Sequence, residues 1–100
     1  MFQTINQPVS VISKYDHRSK KTLPVKFKWN DTVYEIKQLG FYHNYKTGTQ
    51  LFHVFEGTTQ SFFFRLILNS ENLHWSLEKI GDGEVNWPRE YAVKLSMLPL

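Results

Sequence analysis

Four histidines, nine carboxylates and no cysteine set the chemistry open to this 100-residue chain. Without cysteine there is no disulfide, no thiolate nucleophile and none of the usual thiolate zinc sites. A hydroxyl nucleophile needs a base within hydrogen-bond reach, and no spacing pairs His17, His43, His53 or His74 with a serine or threonine. No Gly-x-Ser-x-Gly elbow, phosphate loop or dinucleotide fingerprint occurs. Gly81-Asp82-Gly83 has the wrong spacing for any of these and reads as a turn. Asp31, Glu56, Glu71, Asp82 and Glu84 fall in turn-like segments where solvation accounts for them, so no two acids are set to face one cleft. The expectation is no catalytic residue and a protein that is not an enzyme. His43 and His53 flank one hairpin loop and would oppose each other in one of two adjacent registers. A slip of one residue separates them onto opposite faces, and no further ligand stands nearby. No metal and no cofactor are expected.

Charge is the sharper signal. Lys and Arg number 12 against nine Asp and Glu, a net charge of +3. Residues 1–50 hold eight basic and three acidic side chains, and residues 51–100 hold four and six. Most of the excess is Lys14, Arg18, Lys20, Lys21, Lys26 and Lys28, against Asp16 alone. Such a field suits an anionic partner. Its plainer reading is a solvated edge, because exposed lysines also keep sheets from pairing with strangers. Small β folds bind single strands by joining a basic groove to exposed aromatics, and each stacked base contributes ~1–3 kcal/mol. Tyr15, His17 and Tyr42 are available to stack. The six basic residues are therefore the candidate nucleic-acid contacts.

The elements that would hold them follow a period of two. In Leu23-Pro24-Val25-Lys26-Phe27-Lys28-Trp29 the apolar residues alternate with Pro24, Lys26 and Lys28, the pattern of a half-buried antiparallel strand. Pro24 has no N–H for a ladder and points to an edge or a strand start. Asn30-Asp31 tolerates positive φ and suits a tight hairpin, returning through Thr32 to Leu39, with Gly40 as a bulge or corner. Phe41 to Tyr45 and Leu51 to Phe55 form a second hairpin around Gly48. Glu56 to Thr59 reads as a turn, Gln60 to Asn69 as a strand, Ser70 to Asn72 as a turn, and Leu73 to Glu78 as a strand with Leu73, Trp75 and Leu77 inward. An earlier strand covers roughly Val9 to Lys14, and the polar link from Asp16 to Thr22 reads as an exposed loop.

Trp87, Tyr91, Leu95 and Leu98 recur at helical spacing, so a C-terminal helix is expected over about 87–98. Tyr91 to Leu95 also reads as a strand. The helix is needed as a lid, because the strand Phe62 to Leu68 is apolar on both faces: Phe62, Phe64, Leu66 and Leu68 on one, Phe63 and Ile67 on the other. A second copy of the chain seated on Phe63 and Ile67 is the competing cover.

The fold expected is therefore all-β: one domain over residues 1–100, with a core over about 9–80. It has about six mostly antiparallel strands as a meander, either a curved sheet or a small barrel, plus one C-terminal helix. An apolar fraction of 41% and 16% aromatics exclude a disordered chain. No apolar run reaches the ~18 residues of a spanning helix, and Met1-Phe2-Gln3-Thr4 does not open a secretory signal. A cytoplasmic protein without a membrane partner is expected. A barrel of so few strands fills its interior with side chains, leaving no small-molecule cavity.

The central stretch resembles a family of small uncharacterised bacterial β-rich domains with a Pro-x-x-Phe-x-Trp … Trp-x-Leu pattern. The elements that carry the likeness are Pro24, Phe27 and Trp29, then Tyr34 and Ile36, Phe52 and Val54, Phe64 and Leu66, and Trp75 and Leu77. It spans roughly residues 23–80. The resemblance implies a small β-rich fold with no established activity. Some family members are encoded near DNA-repair polymerases, which favours the nucleic-acid reading. The basic stretch Arg18 to Lys21 and the tail after Glu84 lie outside the likeness and inherit nothing from it. The function expected is a non-enzymatic binding module with nucleic acid as its partner. The alternative is self-association or protein binding through Phe63 and Ile67.

Overall fold

The structure, a computed structural model, describes residues 2–82 and the backbone of Val93 and Lys94. Residues 2–82 form eight strands: β1 (Phe2–Pro8), β2 (Ser10–Asp16), β3 (Lys21–Trp29), β4 (Thr32–Glu35), β5 (Gln38–Thr47), β6 (Gln50–Thr58), β7 (Phe63–Asn69) and β8 (His74–Gly81). Val93–Lys94 adds a two-residue β9. All pairings are antiparallel. They build a six-stranded sheet in the order β1-β8-β7-β6-β5-β9 and a three-stranded sheet in the order β2-β3-β4.

The turns follow local chemistry. Asn30 and Asp31 adopt φ of 51° and 60°, the paired left-handed conformation that a two-residue hairpin needs and that Asn and Asp tolerate. Gly48, at φ 63°, closes the β5–β6 hairpin. Gly40 is the extra residue where the β5–β6 register shifts between Leu39 and Phe41. At Ile36 and Lys37 the chain leaves one sheet for the other: Ile36 N–H donates to the Val25 carbonyl (3.0 Å) and Lys37 N–H to the Thr58 carbonyl (2.8 Å).

The two sheets meet through aromatic side chains. Phe27, 1% exposed, lies 5.2 Å from the Phe64 ring, and Tyr34 and Phe62 are 4.8 Å apart beside them. Register puts Phe55, Gly57, Phe64, Leu66 and Leu77 on one face of the large sheet, and that face packs on the small one. The opposite face of β7 carries Phe63, Arg65 and Ile67, as the two-faced reading of this strand requires. Phe63 is only 3% exposed, with the Phe2 ring set edge-on 5.3 Å away.

Several expectations are corrected. There are more than six strands, and they form two stacked sheets instead of a closed barrel, because the chain changes sheet at Val9 and again at Ile36. The strand core starts at Phe2, not Val9. Among the described residues there is no helix. Val93 and Lys94, placed in the expected helix over 87–98, pair with Leu39 and Gln38, whose edge backbone groups offer a ladder; the rest of that segment lies outside the described residues. Asp16 to Thr22 is no long loop: β2 and β3 pair up to Asp16 and Lys21, leaving a four-residue turn. Glu56 and Gly57 belong to β6, and the turn falls at Thr59 to Phe62, where the Thr59 hydroxyl accepts from the Ser61 and Phe62 N–H groups at 3.1 Å. Leu73 is 69% exposed in a turn at φ 62°, outside the core. Pro24 is buried in the central strand of its sheet. It stands beside a bulge at Val25, where the ladder is already interrupted and a missing N–H costs least.

Gly57 is constrained by space. A Cβ there would collide with the Gln38 carbonyl oxygen and come within 2.9 Å of the Phe64 ring. At Gly48 nothing lies within 4 Å of an added Cβ, so only the left-handed backbone resists substitution. Urea unfolding of Gly57→Ala should show a loss at or above the top of the ~1–3 kcal/mol range for overpacking. Gly48→Ala should lose about 1 kcal/mol, the backbone cost alone. Equal losses would contradict the packing around Gly57.

Candidate nucleic-acid interface

Residues 10–35, the small sheet with its turns, hold six of the twelve basic side chains and three of the nine acidic ones. The remaining six of each cancel, so the whole formal charge of +3 belongs to this sheet. Lys26 and Lys28 alternate with Phe27. Because Phe27 points into the core, the lysines take the outer face, beside Ile12 and Ser10 of β2 and Glu35 and Val33 of β4. Lys28 is exposed and Lys26 half-buried. Ile12 and Val33 are 56% and 55% exposed, so this face mixes aliphatic and cationic groups.

Lys14 is half-buried on β2, while Arg18, Lys20 and Lys21 stand exposed at the hairpin tip. Asp16 organises that tip. Its carboxylate accepts from the Ser19 hydroxyl (2.9 Å), the Arg18 N–H (3.2 Å) and the Ser19 N–H (3.4 Å). These bonds satisfy a turn that has neither Gly nor Pro, and Lys20 takes the left-handed position at φ 56°. The Ser19 hydroxyl, then the Arg18 N–H, hold the Asp16 carboxyl below its ordinary value of 3.8. Only an Asx-type spacing, Asp16 to Ser19, marked this turn in the sequence.

The stacking candidates are not gathered. Tyr15, 57% exposed, and His17 belong to the hairpin. Tyr42 lies on the large sheet, its hydroxyl 2.5 Å from His53 Nδ1 and its ring stacked on the imidazole at 5.8 Å. Asn44 Nδ2 donates to the same hydroxyl at 3.5 Å. This Tyr42–His53–Asn44 group was not foreseen, since it depends on which residues of β5 and β6 face each other. Tyr45 is likewise stacked, on Phe52 at 5.2 Å.

The other face of the large sheet holds an ion cluster. Arg65 Nη2 and Nε donate to Glu56 Oε2 at 2.5 and 2.9 Å, and Nη1 to Glu78 at 3.4 Å. Burial works against the charged guanidinium, but the hydrogen bonds and charge of Glu56, with help from Glu78, outweigh it and raise the Arg65 pKa. Glu56 is thus a strand residue with a partner, not a solvated turn acid. Phe63 and Ile67, the alternative interaction residues, flank Arg65; Ile67 is half-buried.

His43 pairs with Val54 and His53 with Asn44, so the two histidines take opposite faces. No group of three or more His, Cys, Asp or Glu is gathered among the described residues. His43 Nδ1 is buried without a hydrogen-bond partner among the described residues. A groove of about 470 Å³ runs along β4 toward Thr59 and Ser61, and a shallower one of about 400 Å³ lies between Pro8, Lys28 and Asp31. In the first, Glu35 and Lys37 pair with each other at 3.3 Å, exposed to water. No helix among the described residues is long and apolar enough to cross a membrane. No protein-family model, curated protein or solved structure matches the chain.

The Asp16 turn has a definite pH signature. A carboxyl whose folded pKa is depressed stabilises its surroundings above the unfolded value, and that stabilisation is lost as pH falls through the folded one. The tip should therefore keep its geometry down to pH 3.8 and loosen below it. A carbon-13 NMR titration of the Asp16 carboxyl should give a midpoint under 3.8, and Ser19→Ala should move it back up. An unchanged midpoint in that variant would remove the hydroxyl from the account.

Proposed function

We propose that the chain is a small, cytoplasmic, non-enzymatic module that binds nucleic acid through the small sheet and its β2–β3 hairpin. One observation carries the reading: the entire net positive charge lies on three strands and their turns, with Arg18, Lys20, Lys21 and Lys28 exposed. Phosphate is the partner chemistry such a field attracts, by releasing the counterions condensed on the nucleic acid. The resemblance to small bacterial β-rich domains agrees with the fold class and adds no residue to the interface. The alternative, self-association through Phe63 and Ile67, has less to draw on, because Phe63 is 3% exposed in the single chain.

Binding of a fluorescent oligonucleotide should weaken by roughly 10³-fold between ~50 and ~200 mM salt if the six cations each meet a phosphate. Replacing Lys20, Lys21, Lys26 and Lys28 by Glu should abolish it. Salt-independent binding, or binding that survives the replacements, would refute the reading. A chain that sediments as a dimer, and as a monomer after Ile67→Asp, would favour the alternative.

A further inference from the structure

We infer that the β2–β3 hairpin is a ribbon that enters the major groove of duplex DNA, with Arg18, Lys20 and Lys21 leading; this rests on the nucleic-acid reading above. β4 pairs with β3 only over Lys26 to Trp29. Beyond that, β2 and β3 continue without a third strand among the described residues, through Ser13–Pro24, Lys14–Leu23, Tyr15–Thr22 and Asp16–Lys21. Leu23 still packs against the core and Pro24 is buried, so among the described residues the part without core packing runs from Lys14 to Thr22. Its two residue pairs, Tyr15–Thr22 and Asp16–Lys21, at ~3.4 Å each, project roughly 7 Å before the turn begins. The B-DNA major groove is about 12 Å wide and about 8.5 Å deep, and it admits a two-stranded ribbon. With the turn added, the projection is comparable to the depth of the groove.

The tip is also organised before any partner arrives. Three hydrogen bonds to the Asp16 carboxylate fix the turn, and His17, Arg18, Ser19, Lys20 and Lys21 are all exposed around it. Ordering costs that a flexible basic loop would incur on binding are thereby reduced. Arg18 has the planar fork that reads a guanine edge, while lysines act on phosphates as point charges. A single strand calls for a different surface, a row of open aromatic faces along a basic groove. The hairpin offers Tyr15 and the His17 imidazole; Tyr42 is on the other sheet against His53, and Tyr45 is stacked on Phe52.

The test compares a mixed-sequence duplex of about 20 base pairs with each of its separated strands, by anisotropy across a salt series. The duplex should bind at least tenfold more tightly than either strand. Arg18→Ala, Lys20→Ala and Lys21→Ala combined should weaken duplex binding on the order of 100-fold and flatten the log–log salt slope by about 1.8, at 0.9 for each phosphate met by Lys20 and Lys21. Replacing the same three by Lys, Arg and Arg should retain binding, which separates lost charge from a damaged fold. Tyr15→Ala should change duplex affinity less than twofold. Bound protein should shield guanine N7, in the major groove, from dimethyl sulfate. Strands bound as tightly as the duplex, a Tyr15→Ala loss exceeding that of the tip variant, or unprotected N7 in a bound duplex would each overturn ribbon insertion while leaving nucleic-acid binding intact. No binding to duplex or strand would end both.

Discussion

Phe27 against Phe64 is the contact on which the rest of this molecule is arranged. The first ring comes from the middle strand of the small sheet and the second from the middle of the large one. Both are almost wholly removed from water, at 1% and 0% exposure. Trp29, Tyr34 and Phe62 gather round them, with Trp29 and Phe62 edge-on at 6.2 Å. Rings in tilted and edge-on pairs gain about 0.5–1.5 kcal/mol each beyond the area they bury. The consequence for function is geometric. Once Phe27 is committed inward, Lys26 and Lys28 have only the outer face, since neighbours along a strand point opposite ways. The basic face is the reverse side of the aromatic interface.

That interface also limits what the hairpin can do. Among the described residues the β2–β3 pair is tied to the core at its base, through Phe27, Val11, Leu23 and the buried Pro24. The tip must therefore hold itself together, and it does so with one carboxylate. Asp16 is negative in an otherwise cationic segment, and its oxygens are occupied by the turn's own N–H and hydroxyl groups. The charge that would repel a phosphate is in this way turned inward to the backbone, while the cations around it remain solvated.

The far face of the large sheet solves a different problem. Val54 and Phe63 are buried there at 1% and 3%, yet Arg65 sits among them. A partly buried guanidinium is costly unless it is bonded. Glu56, its direct partner across β6 and β7, and Glu78, the extra residue in the β8 bulge, satisfy it. A shift of one residue between β6 and β7 would put Glu56 in the core and leave Arg65 unpaired. The cluster therefore specifies register as much as it adds stability.

Alternation along Phe27 to Trp29, the Asn30-Asp31 turn, Gly48, Gly40 and the two apolar faces of β7 were all legible from residue order, because each depends on backbone geometry or on neighbours a few positions away. β1 was not, since among its seven residues only Ile5 is even half-buried, and a strand on the sheet's rim leaves little pattern to read. Glu56-Gly57-Thr58-Thr59 has the composition of a turn, but Gly57 is there because a ring and a carbonyl approach it. The identity of the six cations was likewise available from the sequence; their union on one sheet, and the length of hairpin beyond the core that carries four of them, was not. By itself the chain's order of residues determined an antiparallel all-β protein with a basic N-terminal half. Division into two sheets, the bulge at Val25 and the register that separates His43 from His53 were decided by tertiary packing. A single inserted residue or a change of partner strand alters these without altering any local propensity.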